Sequence, residues 1–265
     1  MANTFENLSL EIINSIFSYL NILDIFRCFI NLNKKIDENI ENYSQYKLNL
    51  IDILKNDFHF ICSHINPSKI ISLKLSNNMN TPGLIDLFFN YFQLEDFHQL
   101  NYLYLNSIDL QKFSKIIFDK LIYLKQLEIL IIDNGYLFSN DSINSYQLNS
   151  SVKYLSFSFE NNLPYGIDFN LFNLNQIIYL NCQFDENINL SKLCSQMLFL
   201  HTLKARISAF PPKDALTPII SPKLKHLELN FNNGLLGSKT SFLFFIHGNE
   251  RLFPSQANYP IIRKI

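Results

Sequence analysis

The sequence lacks an excess of charge of either sign. It has 22 Lys and Arg residues against 23 Asp and Glu residues, which gives a net charge of −1 at pH 7. The basic residues are scattered along the chain rather than clustered. The composition therefore provides no electrostatic reason to predict binding to nucleic acid or to an anionic membrane.

Long apolar runs and paired cysteines are also absent. No stretch of roughly 18 apolar residues occurs, so no membrane span is expected. The N-terminus has no basic start, and Glu6 and Glu11 interrupt any apolar region that a signal peptide would need. The four cysteines lack paired spacing, which indicates reduced thiols rather than disulfides. We therefore expect an intracellular protein, in the cytoplasm, the nucleus or both.

Signatures of catalysis and metal binding are missing as well. The sequence has no His-Glu-x-x-His motif, no Gly-x-Ser-x-Gly motif and no Cys/His pair that sequence alone can place. The run His59-x-x-Cys62-x-His64 imitates metal ligands, but it lacks a fourth ligand and is better explained by packing. We predict a non-catalytic protein that needs neither cofactor nor metal.

The chain does contain a recurring unit. Its clearest copy, Leu224-Lys-His-Leu227-Glu-Leu229-Asn-Phe-Asn232, has the pattern apolar-x-x-Leu-x-Leu-x-x-Asn. Six upstream segments are its relatives, and the units recur every 23 to 30 residues. Aligned on their second apolar position, the seven copies place there Leu73, Leu103, Leu130, Leu155, Leu180, Leu203 and Leu227. A repeat of this period is typical of a leucine-rich solenoid.

The apolar positions alternate within each copy, as a half-buried strand requires. Leu48 lies 25 residues before Leu73 and predicts one additional strand at the start. We therefore predict an α/β fold for residues 46–235, a solenoid of about seven to eight parallel strands with irregular helices on its convex side. The best helical segments between strands are 52–65, 84–97, 110–124 and 190–200, whereas 139–151 and 161–175 predict short turns.

The alternate strand positions must face the concave side of such a solenoid. Tyrosines occupy several of them in the early and middle repeats, and basic residues occupy them in the late ones. Since Tyr and Arg are enriched where interfaces carry binding energy, this face is the predicted target-binding surface. Its candidate residues are Tyr102, Tyr104, Tyr154, Tyr179, Lys204, Arg206 and His226. The alternative is that exposed tyrosine simply suits a sheet.

Three short helices are predicted before the solenoid. Residues 10–20 carry apolar side chains at helical spacing, with Ser9 as a predicted N-cap. Residues 24–32 predict a second short helix, and a weaker pattern over 34–46 predicts a third. So small a helical region cannot bury all of its apolar surface. A partner surface would cover the excess, or the helices simply cap the solenoid.

Residues 5 to about 45 resemble the F-box family, whose pattern is roughly Leu-Pro-x-Glu, then Ile-Phe-x-Tyr-Leu, then Asp-Leu. The residues at the family's spacing are Glu11, Ile16, Phe17, Tyr19, Leu20 and Asp24. Ser9 stands in place of the family's proline, and the tryptophan near the end of the motif is absent. The irregular repeats of residues 46–235 also resemble those of F-box proteins with leucine-rich repeats.

The resemblance implies a helical domain over 1–45 that binds a Skp-type adaptor and, through it, a cullin. The residues that it assigns to adaptor binding are Leu8, Leu10, Glu11, Ile12, Ile16, Phe17, Tyr19, Leu20, Leu23, Asp24 and Ile25. The implied function is that of a substrate-recognition subunit of an SCF-type ubiquitin ligase. The second hypothesis is a leucine-rich interaction scaffold with no association to a ligase.

Residues 236–265 contain no further repeat. A short apolar strand is predicted over 242–246, and Pro254 and Pro260 interrupt the remaining residues. The segment is expected to be an irregular tail, either a poor cap of the solenoid or a truncated end. A solenoid needs a cap because an open strand edge promotes aggregation.

Overall fold

The computed structural model describes residues 8–135, 151–159, 174–184, 190–207, 223–233 and 238–245. The chain forms two compact units. One comprises Met1–Asn106 with Tyr123–Leu127, and the other comprises Ser107–Ile122 with Glu128–Ile265. The predicted short turns at 139–150 and 161–173, and the tail beyond 245, lie outside the described residues.

The first unit contains three helices and then alternating strands and helices. Its elements are α1 (Leu10–Tyr19), α2 (Ile22–Phe29), α3 (Lys34–Asn42), β1 (Tyr46–Asn49), α4 (Lys55–His64), β2 (Ile70–Ser76), α5 (Leu84–Tyr91) and β3 (Tyr102–Asn106). The predicted three helices and additional first strand are thus present. The predicted helix over 84–97 ends at Tyr91, and a separate 3₁₀ turn forms at Leu94–Asp96, where the Asp96 carboxylate accepts a hydrogen bond from the Gln93 amide at 3.1 Å.

Short polar side chains begin two of the three helices. The Asn21 side chain accepts a hydrogen bond from the Asp24 amide and starts α2, and the Asn33 side chain accepts one from the Ile36 amide and starts α3, each at 2.9 Å. These caps satisfy amides that have no partner inside the helix. Ser9 occupies the predicted cap position of α1, but its hydroxyl accepts no capping bond.

Aromatic packing joins the helices to the first strand. The Phe17 ring meets the rings of Phe29 and Tyr43 edge-on, with centroids 5.3 Å and 5.6 Å away. Tyr46, the first residue of β1, packs against Phe26 of α2 at 5.8 Å and donates a buried hydrogen bond to the Ile40 carbonyl. The compact unit therefore runs across the predicted boundary between residues 45 and 46.

The second unit contains α6 (Leu110–Leu121) and six strands. They are β4 (Ile129–Gly135), β5 (Tyr154–Phe159), β6 (Tyr179–Phe184), β7 (Thr202–Ile207), β8 (His226–Asn233) and β9 (Ser238–Phe245), with α7 (Leu190–Gln196) between β6 and β7. Strands β4 to β8 pair in chain order and in parallel. In the first unit, β1, β2 and β3 do the same. Eight strands thus run parallel to their neighbours, as a solenoid requires.

The aligned leucines pair directly with one another across these strands. In the first unit Leu48 lies opposite Leu73, which lies opposite Leu103. In the second unit Leu130, Leu155, Leu180, Leu203 and Leu227 form one continuous row of pairing partners. Each of these leucines is essentially inaccessible to solvent. The predicted register is confirmed within both units, and the connectors absorb the variation in repeat length.

The C-terminal segment differs from the irregular tail that the sequence predicted. Residues Ser238–Phe245 form a full strand that pairs antiparallel with β8, from Asn233 opposite Ser238 to His226 opposite Phe245. The prediction of a strand in this segment is confirmed, but the strand begins at Ser238, four residues before the predicted start. Strand β9 satisfies the backbone groups along one edge of β8, which reduces the exposed edge that a stack of parallel strands leaves.

Candidate interaction surfaces

The predicted adaptor-binding residues divide into an exposed group and a buried group. Ile12, Ile16 and Tyr19 lie at helical spacing on one side of α1, and we call them the helical stripe. Ile12 and Tyr19 are 48% and 86% exposed, and Ile16 is half-buried. Leu10 and Glu11 are also exposed, whereas Leu8, Leu20, Leu23 and Asp24 are half-buried. The helical stripe offers an apolar surface that the first unit does not itself cover.

Phe17 and Ile25 lie in the core instead. Each is only 1% exposed, because α1 and α2 turn these side chains toward the packed interior of the three helices. A partner cannot contact side chains that the chain itself encloses. Both residues therefore have a structural role in the first unit, and the exposed part of the predicted adaptor-binding set is smaller than the motif suggested.

The N-terminal end of α1 carries a network of local hydrogen bonds. A hydrogen bond from the Ser9 side chain, together with a smaller contribution from the backbone, lowers the pKa of the exposed Glu11 carboxyl. The Lys35 ammonium of α3 donates to the Leu8 carbonyl at 2.8 Å. These contacts hold the segment before the helix against α3 although the Ser9 hydroxyl does not cap α1.

In the first unit, the exposed strand positions form an aromatic and basic face. The Lys74 ammonium lies 5.6 Å from the centre of the Tyr102 ring, and the Asn106 amide donates to the Ser76 hydroxyl across β2 and β3. Burial raises the pKa of the Tyr102 phenol above its usual range. Tyr104 is half-buried on the same face. Both predicted tyrosines thus face the expected side.

The second unit brings two other predicted tyrosines together. Tyr154 and Tyr179 are pairing partners on β5 and β6, and their ring centroids lie 6.1 Å apart. Beyond the tyrosines, side-chain hydrogen bonds join neighbouring strands on the same face. Asn181 donates to the Ser156 hydroxyl at 3.0 Å, and the Ser158 hydroxyl donates to the Asp133 carboxylate. Neighbouring phenol rings, tilted by 32° to each other and accompanied by hydroxyls and amides, suit contact with a polypeptide.

The positive charge that Lys204 places on β7 is paired with a carboxylate on β8. Lys204 forms an ion pair with Glu228 at 3.2 Å, and Asn230 donates to the same carboxylate. Burial disfavours ionisation of Glu228, but the bonds from Asn230 and Lys204 and the charges of Lys204 and His226 outweigh it, so the pKa of Glu228 is lowered. Arg206 is exposed. The predicted basic group is therefore mixed in charge. The alternation of the strand places Glu228 on this face too, but the predicted target-binding set did not include it.

Lys47 is another residue that the sequence prediction missed. It lies opposite Ser72 at an exposed alternate position of β1. Extending the alternation one strand before the first aligned repeat would have placed Lys47 on the same face as Lys74.

The run that imitates metal ligands has ordinary contacts. His59 bonds the Tyr91 hydroxyl at 3.0 Å, His64 bonds the Phe60 carbonyl at 2.8 Å, and Cys62 is buried in α4. Among the residues that the structure describes, no cluster of His, Cys, Asp or Glu could hold a metal ion. In the same parts of the chain, no helix has both the length and the apolarity to cross a membrane.

These features define a class of architecture, in which parallel strands, one per repeat, bury a leucine row and present polar and aromatic side chains on the other face. No family model, no curated protein and no solved structure matches this chain.

Proposed function

We propose that this protein is a substrate-recognition subunit of an SCF-type cullin ubiquitin ligase. The helical stripe and its neighbours on α1 and α2 bind a Skp-type adaptor, and the exposed strand faces bind the target protein. The subunit itself performs no chemistry and works by holding the target near the ligase. The proposal fits a chain in which helices precede repeat strands, and the F-box resemblance of residues 5–45 specifies the adaptor.

The observation that carries the proposal is the apolar helical stripe. The first unit buries Ile13, Phe17, Ile25 and Ile36 almost completely, yet leaves Ile12 and Tyr19 in solvent. Apolar side chains grouped on one exposed helix face are typical of a protein-binding surface. If the three helices only capped the solenoid, we would expect polar side chains at these exposed positions of α1.

The second candidate is an interaction scaffold without a ligase partner. The burial of Phe17 and Ile25 favours this second candidate. Packing within the three helices is sufficient to explain why these two motif positions are apolar, so no adaptor is needed to account for them. The strand faces would then bind partners for another purpose. The two candidates differ in whether a Skp-type adaptor binds α1.

Co-purification of the full chain with a Skp-type adaptor tests the proposal. The double variant Ile12→Glu/Tyr19→Glu places charge on the helical stripe without touching the core, and should weaken adaptor binding at least about tenfold, because apolar anchors dominate such contacts. Leu54→Glu is the matched control, since Leu54 is 71% exposed outside the stripe, and should bind like the original chain.

Two outcomes would favour the scaffold instead. One is that the unaltered chain does not retain the adaptor. The other is that the stripe variant retains it as well as Leu54→Glu does, while circular dichroism shows both variants to be folded.

A further inference from the structure

The first unit contains a cavity of about 480 Å³ among α2, α3, the end of α4 and the segment that leads into β2. None of its lining residues belongs to the predicted adaptor-binding or target-binding sets. Sites for small molecules have volumes of roughly 300–1,000 Å³ and combine an apolar lining with a few polar groups. The volume of this cavity is within that range.

One wall of the cavity is apolar and fixed by its own contacts. It consists of Phe26, Ile30, Ile40 and Tyr46. The Phe26 ring contacts the rings of Tyr46 and His64, with centroids 5.8 Å and 6.0 Å away. The Tyr46 hydroxyl already donates to the Ile40 carbonyl at 2.6 Å, so this wall offers carbon atoms rather than polar groups to a ligand. It suits an apolar side chain.

Two carboxylates line the cavity from α3. Asp37 and Glu41 are four residues apart, so their side chains lie on the same side of the helix. Asp37 accepts a hydrogen bond from the Asn31 amide at 2.8 Å. Neither carboxylate forms an ion pair within the described parts of the chain, whereas Glu38 of the same helix pairs with Lys34. This side of the cavity therefore suits a cation.

Donors line the cavity from the segment before β2. Lys69 is half-buried at the end of the 3₁₀ turn Pro67–Lys69, and it forms no ion pair with any carboxylate that the structure describes. The Asn66 side-chain oxygen accepts from the amide and hydroxyl of Ser68, which leaves the Asn66 side-chain N–H groups for a ligand. Together, Lys69 and Asn66 suit a carboxylate.

We propose that this cavity binds a free α-amino acid with an apolar side chain. Asp37 and Glu41 hold its ammonium group, Lys69 and Asn66 hold its carboxylate, and its side chain packs on the wall that contains Phe26. Charge-assisted hydrogen bonds then form at both ends of the ligand, whereas a simple cation or anion would satisfy only one end. A long peptide fits less well, because its terminal charges are separated by the whole peptide. The inference does not depend on the proposed function.

Isothermal titration calorimetry with the full chain tests the inference. The probes are L-leucine and L-phenylalanine, and they are compared with N-acetyl-L-phenylalanine, which lacks the ammonium group, and L-phenylalaninamide, which lacks the carboxylate. We expect at least one of the two amino acids to bind. Phenylalanine should bind at least about tenfold more tightly than either derivative, because each derivative loses one set of charge-assisted hydrogen bonds.

Variants assign the binding to the cavity. Glu41→Gln and Lys69→Gln should each weaken binding of the amino acid about tenfold, since each removes one charge that faces the ligand. Glu41→Gln should also reduce the preference for phenylalanine over its N-acetyl derivative, and Lys69→Gln the preference over the amide.

Matched controls are Glu38→Gln on α3 and Lys55→Gln on α4, which change exposed residues outside the cavity and should bind like the original chain. Glu41 is exposed, so its variant is informative even if Lys69→Gln proves unstable.

The inference is overturned if neither leucine nor phenylalanine binds, or if Glu41→Gln binds them as tightly as Glu38→Gln does. Equal binding of phenylalanine and its two derivatives overturns it too, in favour of a purely apolar site. Adaptor binding is a separate readout. A chain that retains the adaptor but binds no amino acid refutes this inference alone, and the reverse result refutes the proposed function alone.

Discussion

At the scale of single residues, burial determines which side chains are available for chemistry. Cys62, Cys182 and Cys194 lie in the interior, and loss of hydration raises the pKa of all three thiols, to about 12 for Cys62 and Cys194. Cys28 of α2 is exposed. Since the thiolate is the nucleophile, the three buried cysteines should be inert while the fold persists.

Titration with Ellman's reagent checks this expectation. One thiol per chain should react rapidly in the native protein at pH 8, and four should react after denaturation. Cys28→Ser should abolish the rapid phase and leave three thiols that react only on unfolding. Rapid reaction of a second thiol in the native state would contradict the burial of the other three.

At the scale of elements, caps and strand pairing explain where helices and strands begin and end. Asn21 caps α2 with its side chain, whereas Ser9 occupies the same position before α1 without making the bond. The two positions form a natural pair for comparison, because the residue types are similar and only one of them satisfies a helix amide. Strand β9 shows the same principle in a sheet, where pairing satisfies the edge of β8.

The caps yield a quantitative prediction. Asn21→Ala should lower the free energy of unfolding by about 1 kcal/mol, because it leaves the Asp24 amide without its capping acceptor. Ser9→Ala should cost at most a few tenths of that, since no capping bond is lost. Urea denaturation monitored by circular dichroism measures both. Equal losses for the two variants would show that the capping bond is not the source of the effect.

At the scale of the whole molecule, the repeated leucine row is the basis of stability. Every aligned leucine from Leu48 to Leu227 is buried, and each contacts the equivalent residue of a neighbouring strand within its unit. A repeat protein derives its stability from such interfaces between neighbours, so the row matters more than any individual repeat. On the opposite face of the same strands burial is uneven: Tyr154 is 43% exposed, whereas Ser76 and Gln183 are buried.

Paired substitutions in neighbouring strands test this division. Leu180→Ala should destabilise the protein by about 2–5 kcal/mol, because it leaves a cavity in a packed core. Tyr154→Ala, on the exposed face one strand away, should cost less than about 1.5 kcal/mol, mainly its contact with the Tyr179 ring. Chemical denaturation measures both values, and a larger loss for Tyr154→Ala would refute the assignment of the two faces.

Much of this architecture is predictable because it depends on periodicity. The spacing of Leu73, Leu155 and Leu180 predicted which residues pair, and the helical spacing of Ile13 and Phe17 predicted α1. The same periodicity does not say which apolar side of a helix packs inward. Phe17 was therefore assigned to a partner surface, although it lies in the core while Ile12 remains in solvent.

The sequence by itself determined the repeat, the alternation of buried and exposed strand positions and the register, because these depend on the local order of apolar and polar residues. Only the tertiary structure decided that Glu41 and Lys69 line one cavity, that Glu228 neutralises Lys204 and that β9 covers the edge of β8. Each of these depends on which segments become neighbours in space. That outcome is set by packing between distant residues, and no pattern within one repeat encodes it.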